Sequence, residues 1–300
     1  MKNYSGKMVI IIGAARQGQA LARFFTRRGA NVVVTDNREE AQLTEELKAL
    51  ESLPLTFDFG GHHADILDGA DLVCVSGGVP LTIPFIQEAL IQHIPLTNDS
   101  QIFLEECPCT VAGITGSAGK STTTALVGAM AETTFAMKSN RQKAWVGGNI
   151  GNPLIDHLDE IQEDDLAIME LSSFQLELMK RSPQIAAILN LTPNHLDRHG
   201  SMAAYIDAKS RIIWYQHADD IAVLNRDDTV SWELLSDIKG DLISFGLNKP
   251  ESRSNGTYID QDWVWLQIGR EKLKMFPVEW IQLRGRHNLY NVLAASAIAA

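Results

Sequence analysis

The 300-residue chain is short of several things, and each shortage removes a class of function. Basic residues are outnumbered, 26 Lys and Arg against 37 Asp and Glu, for a formal net charge of −11. Non-specific nucleic-acid binding rests on basic surface, so no nucleic-acid partner is expected. An anionic ligand must then be held by local groups rather than by the overall field. Cysteine is sparse: Cys74, Cys107 and Cys109 make an odd set, and Cys107-Pro108-Cys109 lacks the second pair of a metal site. Reduced thiols in a cytoplasmic protein are the expectation. No stretch approaches the roughly 20 apolar residues of a membrane span, and Lys7 and Arg16 interrupt the N-terminal apolar residues that a signal segment would need. Repeats and low-complexity tracts are missing as well. What is present is 45% hydrophobic residues, enough for real cores and, at this length, for about two domains.

Met8–Ile12 reads as a short strand ended by Gly13, followed by a helical pattern from about Gly18 to Arg28 with Gly29 as its stop. Asn31–Val34 is the next strand, leading into Thr35-Asp36-Asn37. That βαβ unit implies a parallel sheet. Its turn, Gly13 to Gly18, lacks the middle glycine of G-x-G-x-x-G, which a pyrophosphate needs for close approach, so the NAD dehydrogenase it would otherwise suggest is disfavoured. Asp36 has two open readings, a partner for a nucleotide's hydroxyl or polar edge and an ordinary strand-end aspartate. Leu72–Val75 is a further strand, and Ser76-Gly77-Gly78 after it is either another anion-friendly turn or a simple loop closure. Asp99 is expected to cap the helix that precedes a domain boundary at Cys107–Cys109.

The densest signal runs from Val111 to Thr124. An apolar strand ends in Gly113, Gly116 and Gly119, then Lys120-Ser121, then a helix to about Glu132. Glycines let the backbone curl its N–H groups around an anion, the helix N-terminus adds a positive end, and the lysine supplies a mobile charge. A hydroxyl after the lysine can ligate Mg²⁺. Ile114 stands where the strict Walker pattern has glycine, yet strand, glycines, Lys-Ser and helix in this order point to a phosphate-binding loop. Val146 to Pro153 is too glycine-rich for a regular element and reads as a loop needing close ligand or backbone approach. Leu166–Met169 is a buried-type strand delivering Glu170, followed by a serine in capping position; Ile185–Leu189 is another, delivering the segment Asn190 to Gly200. A carboxylate and a His-containing loop at two strand ends near a phosphate loop suggest a Mg²⁺-nucleotide site. His195 by itself is equally readable as a packing histidine. Ser201 can cap a helix to about Tyr215, whose Lys209 and Arg211 taken alone read as solvated. Thr257 to Phe276 alternates apolar and polar residues, an antiparallel excursion from the parallel sheet, and an Ala-rich helix after Arg284 runs into Ala300 without a cap, which reads as a truncated ending.

Taken together, Gly113-Ile114-Thr115-Gly116 through Thr123, Gly148-Asn149-Ile150-Gly151, Glu170 to Glu177, Asn190 to Gly200, the Lys209 segment and His287-Asn288 to Asn291 resemble the Mur ligases in order and spacing. These are ATP-dependent amide ligases of peptidoglycan synthesis. Leu171-Ser172-Ser173-Phe174-Gln175-Leu176-Glu177 and Asn194-His195-Leu196-Asp197-Arg198-His199 are similar to the branch that adds D-glutamate. Ser117-Ala118 replaces the family's usual Thr-Asn, and Gly13 to Gly18 is an atypical first turn. The resemblance implies an α/β fold: a Rossmann-like parallel-sheet domain over 1–106, a P-loop NTPase-like central domain over 107–300, and a third, amino-acid-binding domain beyond.

By resemblance, Asp36 and Asn37 face the uracil, and Ser76, Gly77, Gly78 and Asn149 approach the pyrophosphate and sugar. Gly113, Thr115, Gly116, Ser117, Ala118, Gly119, Lys120, Ser121 and Thr122 surround the ATP phosphates, with Asn288 and Asn291 on the adenine. Two Mg²⁺ ions are implied, one on Ser121 and Glu170 and one served by His195 and Lys209, the latter as a carbamylated lysine. Lys120, Glu170, His195 and Lys209 are thus the implied catalytic set. The implied partners are ATP, UDP-N-acetylmuramoyl-L-alanine and D-glutamate, acting on a cytoplasmic monomer with no membrane partner. A ligase adding another amino acid, or a fragment that binds without turnover, stays open.

Overall fold

The computed structural model describes residues 2–138 and 141–300. The chain divides into two compact units, Met1–Glu106 with Asn152–Glu160, and Cys107–Gly151 with Ile161–Ala300.

The first unit is built from β1 (Met8–Ile12), α1 (Arg16–Arg27), β2 (Asn31–Asp36), α2 (Thr44–Leu50), β3 (Leu55–Phe59), β4 (Leu72–Val75), α3 (Pro84–Ile91), β5 (Leu96–Thr97) and α4 (Asp99–Glu106). Its five strands lie in the order β3-β2-β1-β4-β5, and every pairing is parallel. β1 is Met-Val-Ile-Ile-Ile with four consecutive buried residues, the continuous apolar run of a strand covered on both faces. The chain leaves β1 in one direction toward β2 and β3, then returns on its other side as β4, so a crevice opens at the strands' carboxyl ends. Gly18 lets α1 enter it closely, since a Cβ there would stand 1.8 Å from the Gly13 carbonyl oxygen. The sequence reading had no strand at Leu55–Phe59, a short, half-exposed edge strand whose alternation of Leu55, Phe57 and Phe59 with Thr56 and Asp58 was the available signal. The cap of α4 is Asn98 rather than Asp99: Asn98 Oδ1 accepts the Gln101 N–H at 2.8 Å, and Asp99 is already inside the helix. Asn152–Glu160, remote in sequence, packs into this unit through buried Leu154 and Ile155 and a two-pronged Arg23–Asp156 pair at 2.9 and 2.6 Å.

The second unit contains β6 (Thr110–Thr115), α5 (Lys120–Met137), β7 (Ala144–Gly148), β8 (Leu166–Glu170), α6 (Ser173–Leu176), β9 (Ile185–Ile188), α7 (Leu196–His199) and α8 (Met202–Trp214). It continues with β10 (Ile221–Asn225), α9 (Thr229–Glu233), β11 (Asp241–Phe245), β12 (Gly256–Asp260), β13 (Trp263–Ile268), β14 (Glu271–Pro277) and α10 (Arg286–Ile298). The strand order is β14-β13-β12-β11-β10-β9-β6-β8-β7. From β7 to β12 the pairings are parallel; β12–β13 and β13–β14 are antiparallel, which is the alternating excursion expected from the sequence. β6 is again the strand from which the chain departs to either side, so its carboxyl end is the switch point. Ile114, Ile168, Ala187, Val223, Phe245 and Leu293 belong to one buried cluster that joins the sheet to α10. Two sequence expectations need correction here. Ala144–Gly148 is a regular edge strand beside β8, because parallel pairing needs only backbone groups and glycine supplies those. α5 continues to Met137, past the Glu132 end expected. Among the described residues no helix is long and apolar enough to cross a membrane.

Candidate functional site

The three glycines of the 113–119 stretch do three different things. A Cβ on Gly113, inside β6, would come within 2.5 Å of Pro183 Cγ, and one on Gly116 within 2.9 Å of Leu189 Cβ. Gly119 holds φ +86°, and a Cβ there would meet Asn291 Oδ1 at 2.2 Å. Gly119 is the clearest case of a glycine needed for its backbone as well as for space, and Gly113 is needed for space alone. Between them, Ser117 and Ala118 are clasped by the segment after β9. The Ser117 N–H donates to the Asn190 carbonyl, the Ala118 N–H to Asn190 Oδ1, and Asn190 Nδ2 to the Ala118 carbonyl, all at 2.9 Å. Ser117 Oγ also meets Thr192 and the Tyr205 hydroxyl at 2.9 Å each.

Charge is concentrated beneath this loop. Lys120 Nζ and Lys209 Nζ both donate to the Gly116 carbonyl, at 3.0 Å each, and Lys209 also donates to Thr115 Oγ1 at 3.1 Å. Thr115 in turn donates to the Leu171 carbonyl at 2.8 Å. The expectation that Lys209 is solvated fails, since it is 2% exposed, on the inner face of α8 with its ammonium over the Tyr205 ring. Burial pushes its pKa down to about 7, the Lys120 charge adds to the fall, and Glu170 opposes it. Burial lowers Lys120 too, again against Glu170. Glu170, 2% exposed at the end of β8, accepts from Ser121 Oγ at 2.7 Å and Asn149 Nδ2 at 2.9 Å. Gly148 makes room for this, because a Cβ there would be 2.4 Å from the Glu170 carbonyl oxygen. Thr122 is half-buried on the first turn of α5.

His195 is exposed and left-handed, at φ +54°, as the residue that starts the one-turn helix α7; its ring lies 5.4 Å from that of Phe174. His199, at the other end of α7, was not singled out from sequence. Its side chain is 1% exposed: Nδ1–H donates to Glu177 Oε1 at 2.9 Å, and Nε2 accepts from the Ser173 hydroxyl at 2.9 Å. Burial, then the charges of Lys209, His195 and Arg198, lower its pKa, so the ring is neutral and the contact with Glu177 is a hydrogen bond.

A cavity of about 310 Å³ opens beside Ala118 and Gly119, lined by Leu189, Asn190, Asn225, Phe245, Tyr290 and Asn291 among others. Asn291 is buried and donates to Asn288 Oδ1 at 2.9 Å, while Asn288 Nδ2 donates to the Arg284 carbonyl at 2.7 Å. Leu189, Phe245 and Tyr290 supply apolar and aromatic wall, with amides and the carboxylates of Asp227 and Asp228 at the same cavity, a mixture that suits a flat heterocycle bearing polar groups.

In the first unit, Gly13, Asp36, Asn37, Arg38, His62 and Gly78 line a cavity of about 290 Å³ at the carboxyl ends of β1, β2 and β4. Asp36 accepts from the Ala14 N–H at 2.9 Å and from Arg38 at 3.0 and 3.1 Å. Burial raises its pKa, but these bonds prevail and hold it at about 2. The Gly77 N–H donates to Gln17 Oε1 at 2.7 Å, and Ser76 Oγ approaches the Gly13 carbonyl at 3.5 Å. Arg38 and His62 were missed in the sequence; Arg38 lies two residues past a strand-end aspartate, a spacing that could have drawn attention to it.

The donor set can be tested against a cation. Among the described residues no three His, Cys, Asp or Glu side chains cluster as a metal site would. A buried carboxylate beside a hydroxyl is nevertheless the hard-oxygen kind of donor that Mg²⁺ takes, so Glu170 and Ser121 fit one ion. Lys209 as an ammonium does not fit; as a carbamate it would.

Compared with known proteins, residues 114–299 match the Mur ligase middle domain and residues 7–98 the Mur ligase MurD-like, N-terminal domain. The chain is 37% identical over 294 residues to a UDP-N-acetylmuramoylalanine–D-glutamate ligase of Koribacter versatilis, covering 98% of this chain. It is 39% identical over 296 residues to a ligase of the same name from Syntrophotalea carbinolica, again over 98% of the chain. It spans 63% of the length of each. Among solved structures, a UDP-N-acetylmuramate:L-alanyl-gamma-D-glutamyl-meso-diaminopimelate ligase from Neisseria meningitides matches with TM-score 0.61 at 19% identity, covering 98% of this chain and 93% of that one. A UDP-N-acetylmuramate-alanine ligase from Thermotoga maritima matches at 0.53 and 23%, covering 97% and 64%. At such identities these two attest the fold.

Proposed function

The chain belongs to the Mur ligase family, and we propose that it supplies the UDP-substrate- and ATP-binding part of a ligase that joins D-glutamate to UDP-N-acetylmuramoyl-L-alanine, releasing ADP and phosphate. The observation that carries this reading is the convergence of Lys120 and Lys209 on the single carbonyl of Gly116, beside a buried Glu170. Lys120 offers its charge to a polyanion there, and the crowding by Lys120 helps to push the buried Lys209 toward its neutral form, the state from which a carbamate is made. The reaction brings together a carboxylate and a triphosphate, so compensating their repulsion is the main catalytic task.

In this mechanism the alanyl carboxylate attacks the γ-phosphorus, giving an acyl phosphate and ADP. The D-glutamate amine then attacks the acyl carbon, and phosphate leaves from the tetrahedral intermediate. Lys120 follows the transferring phosphoryl group, with Gly113, Thr115, Gly116, Ser117, Ala118, Gly119 and Thr122 shaping the cradle. Asn190 gives up its hold on Ala118 as phosphate enters. Ser121 and Glu170 would hold one Mg²⁺, and His195 with carbamylated Lys209 a second; bound there, the ions neutralise phosphate charge. A Lys209 pKa of about 7 leaves a neutral amine that can attack CO₂ and release a proton to solvent, forming the carbamate. Asn288 and Asn291 border the adenine cavity. Asp36, Asn37, Ser76, Gly77, Gly78 and Asn149 serve the UDP end of the substrate, with 1–106 and 107–300 as the two functional domains and a third domain presenting D-glutamate, in a cytoplasmic monomer.

In a form with the relatives' full length, K120A is expected to abolish phosphate release with D-glutamate, and L-lysine or L-glutamate to be poor substitutes. Retained turnover by K120A overturns the role given to Lys120. Because the chain spans 63% of its relatives, a second reading has these residues binding UDP-substrate and ATP without turnover. Calorimetry with the UDP-sugar and an ADP-release assay on this chain separate the two.

A further inference from the structure

α7 is four residues long, too short to persist without tertiary support, yet it carries a non-glycine left-handed residue at its start and Gly200 at φ +76° at its end. The Arg198 and His199 N–H groups both donate to the His195 carbonyl at 3.0 Å, and the Gly200 N–H donates to that of Leu196 at 2.9 Å. Each side chain from Leu196 to Arg198 is exposed. The His199 ring is the buried anchor: it sits between Ser173 and Glu177, stacks on Phe174 at 5.1 Å and 2°, and meets Tyr205 edge-on at 5.2 Å. Phe174 in turn touches His195. Ser173, His199 and Glu177 have the spacing of a nucleophilic triad, but Ser173 is 2% exposed and leaves no room for an acyl group. The cluster therefore acts through what it holds.

We propose that His199, clamped by Ser173 and Glu177 under Phe174, is the positioning residue that keeps His195 in its left-handed conformation for service at the phosphate-loop site. The role rests on the reading of that site given above. The donor and acceptor on His199 are both satisfied, so the ring has one orientation, and the one-turn helix follows it.

Two measurements on this chain test it. Hydrogen exchange of the Arg198, His199 and Gly200 amides reads the anchoring, and electron paramagnetic resonance of Mn²⁺ added with ATP reads the site. H199A is expected to lose the exchange protection and to weaken Mn²⁺–ATP binding about tenfold. E177Q keeps an acceptor for Nδ1–H and should retain both, whereas E177A should not. Unchanged exchange in H199A overturns the anchoring. Lost protection with Mn²⁺–ATP affinity intact, in a parent that binds, reduces His199 to a packing residue and overturns the proposal alone. A parent that binds no Mn²⁺–ATP overturns the reading of the site, and the service assigned to His195 with it.

Discussion

The two strand-end crevices are built alike and poised differently. In the first unit the polar groups at the turn are engaged with each other: Asp36 takes Ala14 and Arg38, and Gln17 takes the Gly77 N–H. A ligand arriving there must compete with bonds already made. In the second unit two lysines crowd one carbonyl, and burial lowers the pKa of both. On the proposed reading, an anion bound there would relieve an existing cost. The contrast shows how one topological rule yields either a satisfied site or a strained one, depending on which side chains follow the strands.

The largest expected effect tests the strained site. K209M removes a buried cation while Gly116 keeps Lys120 and Thr115 keeps Leu171, so no partner is orphaned. It should raise stability by about 1–4 kcal/mol. Because the folded pKa of Lys209, about 7, lies below its unfolded value, the folded state binds fewer protons between the two. The parent therefore gains stability as pH rises from 7 toward 10, and the advantage of K209M, full below pH 7, shrinks over the same range. Urea melts across pH 6–10 read this; a destabilised K209M would mean that the lysine is not strained.

The satisfied site predicts the opposite sign. D36N should cost about 1–2 kcal/mol at neutral pH, a figure reduced for the partial exposure of Arg38. The Asp36 pKa is lowered to about 2, so its contribution is present above the unfolded value and fades as pH falls toward 2. Melts of parent and D36N should converge at that acid end, and parallel curves would break the assignment. The smallest effect is that of Q17A, which frees the Gly77 N–H. Stability should change by about 1 kcal/mol or less, and UDP affinity by calorimetry should rise a few-fold. A fall would show that Gln17 orders the turn for its ligand rather than competing with it.

Much of the fold could be read from local chemistry. The apolar runs at Met8–Ile12 and Leu166–Glu170 are strands, Ser172 and Ser201 cap their helices as expected, and the alternation after Thr257 is the antiparallel excursion. Each of these depends on neighbours within a few residues. Residues 146–148, expected to be part of a loop reaching to Pro153, are the end of a strand, because glycine carries no side-chain pattern to mark it; the close backbone approach expected there is what Gly148 provides. The return of Asn152–Glu160 to the first unit had no local signature, since it depends on Arg23, far away in the chain.

What the sequence by itself determined is most of the order of elements, the glycine-rich turn between β6 and α5 and the family, because periodicity, caps and glycine spacing are short-range properties. Only the tertiary structure decided that Lys209 is buried against Gly116, that Asn190 clasps the loop, and that His199 anchors α7. Those facts depend on burial and on contacts between residues tens of positions apart, and a lysine or histidine looks the same in sequence whether its neighbours are water or another charge.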